Sequence, residues 1–187
     1  MAVGGYHIPR DADPDMPALE VLAAILSGGE SSRLHQRLVR HDRLAIAAGG
    51  LTETMEAPGL FIVYAAYLPD RDQGKVQKAL ADEIARVRNE AVSAEELDKA
   101  KNQAAAGYIF GLQSVDGIAH QLGQYQYVHD DWHEFLNGAS RYLAVTAADV
   151  GRVAKKYLTD TNLTLVTLQP APRATAAAPP SAPGGAR

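Results

Sequence analysis

The side chains that come nearest to a catalytic metal arrangement are His129 and His133, within His129-Asp-Asp-Trp-His133-Glu134. Two imidazoles four residues apart share a helix face and can present nitrogens to one ion. A zinc hydrolase also needs a carboxylate between them, as general base on the metal-bound water. In the inverted arrangement, His-x-x-Glu-His, that carboxylate falls at position 132, where tryptophan stands. In the forward arrangement, His-Glu-x-x-His, it falls at 130, where Asp130 is one methylene shorter. Asp130 and Asp131 read instead as the cap of a helix starting near Trp132, which leaves His129 in a loop. His7, His35, His41 and His120 have no sequence neighbour at ligand spacing. They are expected to be solvated or core-edge residues. No catalytic residue and no metal ligand is therefore assigned to this chain.

A second candidate is Ser27-Gly-Gly-Glu-Ser-Ser32. It lacks the lysine and the spacing of a phosphate-binding loop. The end of one helix at Gly28 and Gly29, then a new start capped by Ser31, accounts for each of its residues. The chain has no cysteine, which excludes disulfides, thiolate-bound metals and a cysteine nucleophile. A net charge of −4 gives no general attraction to nucleic acid or an anionic membrane. No apolar run approaches the roughly 18 residues of a spanning helix. Met1–Tyr6 has neither the basic start nor the apolar stretch of a signal peptide. A strand beginning almost at once suggests a fragment of something longer.

The elements that must position these residues follow from periodicity. Tyr6–Ile8 is extended and stops at Pro9. Asp13-Pro14 should start a helix, with Leu19, Leu22, Ile25 and Leu26 as its apolar stripe. A short helix through Leu34, Leu38 and Val39 follows. Residues 44–54 and 60–68 form a hairpin around Ala57-Pro58-Gly59. Val76, Leu80, Ile84 and Val87 mark the next helix. Ser93 and Glu96 form a capping box for another, running to about Leu112. Residues 115–127 and 132–143 make two more, and Thr146 caps a last one carrying Val150, Val153, Ala154, Tyr157 and Leu158. Residues 162–168 alternate as a final strand. The pattern predicts an α+β domain over 1–170, a mostly antiparallel sheet with helices on one face. A Pro/Ala/Gly-rich tail over 171–187 is expected to be disordered.

Five segments, in order, resemble the non-zinc domain of the pitrilysin/insulinase family of zinc metallopeptidases. They are Tyr6–Pro9 with Pro17–Leu22; Ile25-Leu-Ser-Gly-Gly-Glu-Ser-Ser-Arg-Leu34; Leu38-Val-Arg-His-Asp-Arg-Leu-Ala45; Ser93–Lys101; and Val145–Val150 with Val153–Leu158. The resemblance implies a non-catalytic C-terminal domain that completes a peptide-binding chamber. Zinc would belong to a partner domain, in the same chain or another, and the substrate would be peptide. It also implies candidate substrate contacts at Gly28, Gly29 and Glu30. In some zinc-free halves of the family an arginine and a tyrosine seven residues apart bind substrate carbonyls. Here Val39 and Ile46 occupy those positions, and neither donates a hydrogen bond. The alternatives are a scaffold without peptidase activity, like the core proteins of respiratory complexes; a metal enzyme using His129 and His133; and a lone peptide-binding module acting through a sheet edge. The alanine- and arginine-rich composition suggests a bacterial protein, with the periplasm expected and the cytoplasm the alternative.

Overall fold

The computed structural model describes residues 1–54 and 56–168. The domain boundary expected at 170 and the tail after it lie outside them. Four strands, β1 (Ala2–Ile8), β2 (Ala47–Glu53), β3 (Gly59–Ala66) and β4 (Leu163–Thr167), form one antiparallel sheet in the order β2-β3-β1-β4. The helices are α1 (Met16–Ser27), α2 (Gln73–Asn89), α3 (Ala94–Gly111), α4 (Val115–His129), α5 (Gly138–Leu143) and α6 (Ala147–Tyr157). This is the α+β arrangement read from the sequence.

Alternation fixes which face is covered. In β1 Ala2, Gly4, Tyr6 and Ile8 are buried, and across the ladder they pair with Ala65, Val63, Phe61 and Gly59 of β3, which are buried too. That face meets α1, whose Leu19, Leu22 and Leu26 have no exposed surface. Truncating any of the three to alanine would cost about 2–5 kcal/mol. The other face carries Leu51, Ile62 and Tyr64, with Leu60 and Val166. No helix packs there among the described residues, and Leu51, Leu60 and Val166 are 37%, 39% and 58% exposed.

Caps do what the sequence asked at α3 and α6. Ser93 with Glu96, and Thr146 with Asp149, form reciprocal capping boxes. Four local expectations need correction. The first helix begins at Met16, two residues past Pro14, and Asp13 Oδ1 accepts from the Asp15 amide (2.8 Å) ahead of it. The segment after the glycines widens into a π-helical turn, His35–His41, whose last bond runs from the Asp42 amide to the Arg37 carbonyl. Ser31 does not cap it, because its hydroxyl accepts from Lys99 Nζ. The helix expected over 132–143 is a 3-10 turn, Trp132–Asn137, followed by α5.

Asp15 fastens the start of α1 to α6. Its carboxylate accepts from Arg152 Nη1 (2.5 Å), Lys156 Nζ (2.8 Å) and the Tyr157 hydroxyl (2.8 Å). Burial by itself would raise its pKa, but these donors outweigh burial and hold the carboxyl at about 2.

Candidate functional site

The glycine corner sits where α1 ends beside the edge strand. Gly28 closes α1, its amide donating to the Ala24 carbonyl at 2.6 Å. A Cβ there would overlap that carbonyl oxygen and the Gln103 side chain. Gly29 has φ +87, a left-handed conformation that favours glycine. Ser27 Oγ donates to the Gly50 carbonyl of β2 at 2.5 Å, so this corner is tied to the sheet edge. From the other side Gln103 Nε2 donates to the Gly28 carbonyl at 3.2 Å. Glu30 is exposed, and its carbonyl is bonded to His35 Nδ1 and Gln36 Nε2.

Below the corner, Arg33 forms a bidentate pair with Glu96 (2.8 and 2.9 Å). The arginine side chain is 9% exposed. Its hydrogen bonds, with those of the capping box, overcome burial and keep the Glu96 carboxyl at about 2. The corner is thus a shaped, rigid turn between α1 and α3, with Glu30 as its free carboxylate side chain.

Val39 and Ile46 lie further along. Arg43, at φ 51, reverses the chain, and the Leu38 carbonyl accepts from both the Leu44 and Ala45 amides (2.9 and 3.0 Å). Val39 and Ile46 each follow directly on one of these bonded residues. Ile46 is 63% exposed, whereas Val39 is half-buried against the core. Only Ile46 therefore presents its side chain freely to anything outside the domain.

His129 and His133 part company. His129 is the last residue of α4 and not in a loop, as the sequence had suggested. Asp130, at φ 57, then turns the chain, and Asp131 caps the 3-10 turn through the His133 amide (2.9 Å). His129 stacks on Tyr125 at 4.8 Å, while His133 stacks on Trp132 at 3.8 Å and bonds Asp131 through Nδ1. Burial first, then the charge of Arg141, lowers the His129 pKa. Among the described residues no three His, Cys, Asp or Glu side chains come together to hold a metal.

Comparison with known proteins decides the family. The family model of the peptidase M16 inactive domain matches residues 2–104. The chain belongs to that family. The zinc protease PqqE of Helicobacter pylori is 29% identical over 166 residues, which are 89% of this chain and 37% of that protein. The chain thus spans little more than a third of that relative. A proposed zinc protease from Bordetella pertussis superimposes with a TM-score of 0.80 at 28% identity, over 90% of this chain and 93% of that one. A chain of respiratory complex III from Candida albicans shares the fold, with a TM-score of 0.77 at 14% identity, over 88% of this chain and 41% of that one. The match is to the inactive domain of the M16 peptidases.

Proposed function

We propose that this chain completes the peptide chamber of a zinc metalloendopeptidase, facing the zinc-bearing domain with the open side of its sheet. The observation that carries this is the apolar row Leu51, Leu60, Ile62, Tyr64 and Val166, which no helix covers among the described residues. A solvent-facing sheet face is ordinarily polar, and an exposed apolar patch marks a contact surface. The part of the relative's length that this chain does not span is long enough to supply the covering domain. In that assembly the glycine corner and Ile46 would sit at the rim, with Gly28, Gly29 and Glu30 touching extended peptide. Val39 and Ile46 offer no donor to a developing oxyanion, so the contribution of this domain is shape and enclosure. Hydrolysis of oligopeptides or unfolded segments would be the reaction of the whole, and the periplasm is its proposed setting.

The test is reconstitution. The chain is mixed with the zinc-bearing domain from the same genome, and cleavage of a fluorogenic peptide is followed. Neither part alone should cleave, and the mixture should. Leu60→Glu and Ile62→Glu should abolish the gain while leaving the circular dichroism of the chain unchanged. Full activity of the mixture with both substitutions present would refute the docking face.

A further inference from the structure

A cavity of about 300 Å³ lies on the other side of the molecule, between α1, α3, α4 and α5. Its size is at the low end for small-molecule sites. Glu20 enters it from α1, between the buried Leu19 and Val21. Arg141 and Tyr142 enter from α5, His129 and Tyr125 from α4, and Tyr108 from α3. The three tyrosines form one aromatic wall, with Tyr108 6.5 Å from Tyr125 and 6.4 Å from Tyr142, centroid to centroid. Gly138 makes the wall possible, because a Cβ there would overlap the Tyr108 ring.

Asp11 also lines the cavity, its carboxylate 3.8 Å from His129 Nε2, so the charges left without such a partner there are those of Glu20 and Arg141. Burial pushes the Glu20 carboxyl up, and the Tyr142 hydroxyl and Arg141 only partly counter it. Arg141 is close enough to act on Glu20, yet no ion pair within 4.0 Å joins them or joins Arg141 to any other described carboxylate. A partly buried carboxyl group and a half-exposed guanidinium with no carboxylate partner among the described residues thus line one cavity. A ligand carrying a cation at one end and an anion at the other would satisfy both.

We propose that this cavity binds a zwitterion of amino-acid size, a free α-amino acid or a dipeptide. Glu20 takes its ammonium group and Arg141 its carboxylate. The carboxylate can bridge the guanidinium in the bidentate geometry that arginine favours. The side chain of the ligand lies on the tyrosine wall. His129, its pKa lowered by burial and by Arg141, lies flat on Tyr125 with Nε2 3.8 Å from Asp11 Oδ2 and adds a polar ring edge beside the ligand. This site does not depend on the chamber reading, because none of its residues lies on the open sheet face.

Calorimetric titration of the 187-residue chain tests it, with four probes: L-phenylalanine, L-alanyl-L-alanine, phenethylamine (the ammonium alone) and 3-phenylpropionate (the carboxylate alone). At least one zwitterion should bind with a single saturable site. The two one-charge analogues should bind at least tenfold more weakly. Arg141→Gln, on a half-exposed position of α5, should weaken the zwitterion at least tenfold with unchanged circular dichroism. Glu20→Gln should do the same for phenethylamine and the zwitterion. No binding of either zwitterion at millimolar concentration overturns the proposal. So does equal binding of the one-charge analogues, or unchanged affinity in Arg141→Gln.

Discussion

Replacing Asp15 by asparagine keeps the size and the acceptor oxygen but removes the charge that gathers Arg152, Lys156 and Tyr157. A carboxyl held at about 2 instead of 3.8 corresponds to about 2.4 kcal/mol of native-state stabilisation at neutral pH. The side chain of Asp15 is 8% exposed, but those of Arg152 and Lys156 are 50% and 56% exposed. Solvent screening of the cations brings the expected loss down to about 1–2 kcal/mol. The sign follows from the depressed native pKa. The stabilisation is full above the unfolded value, near 4, and drains away as pH falls through about 2. Urea unfolding of parent and Asp15→Asn should be compared at intervals from pH 7 to pH 2. The difference should be constant down to about pH 5 and shrink toward zero near pH 2. Glu96, whose carboxyl is also held at about 2, makes both proteins acid-sensitive, and the comparison cancels it. A difference that persists undiminished at pH 2, or none at pH 7, would refute the idea that charge at Asp15 joins α1 to α6.

Three further outcomes are expected. Gly28→Ala should lower stability by about 1–3 kcal/mol in urea unfolding, because the new methyl meets the Ala24 carbonyl; a neutral result would mean that the α1 terminus is not fixed. In the reconstituted peptidase, Val39→Arg with Ile46→Tyr should raise kcat/KM by less than the roughly 2.7–4 kcal/mol of one well-aimed donor, and only as a pair. No gain, or an equal gain from a single change, rejects the rim positions. Metal analysis after dialysis should find no stoichiometric zinc in the chain, and one tightly held equivalent lost in His129→Ala would overturn this.

Much of the fold could be read from local chemistry. The Ser93–Glu96 capping box, the Thr146 cap, the alternation in β1 and β3 and the apolar stripe of α1 are short-range patterns, and the structure contains each of them. What escaped was set by contacts distant in sequence. The break between the 3-10 turn and α5 falls at Gly138, where the backbone runs against the Tyr108 ring. The widened turn over 35–41 carries no residue type that announces it. His129 is helical because α4 runs two residues beyond Tyr127, to a left-handed Asp130. The glycine corner was legible as a pair of caps, but its bonds to Gly50 and Gln103 come from β2 and α3. The cavity was hidden most completely, since Glu20, Tyr108, Tyr125 and Arg141 come from four separate helices. The one available signal was a glutamate set within the apolar stretch of α1.

The contact of Gly138 with Tyr108 also constrains the order in which this sequence can drift. While the ring stands against the backbone, a side chain at 138 must displace it, and with it the hydrogen bond from its hydroxyl to the Phe135 carbonyl. If Tyr108 is first replaced by a smaller residue, position 138 opens. Once 138 has gained a side chain, a returning tyrosine would meet it in this conformation. The two sites are therefore coupled, and relatives of this domain that keep a large ring at 108 should tend to keep glycine at 138.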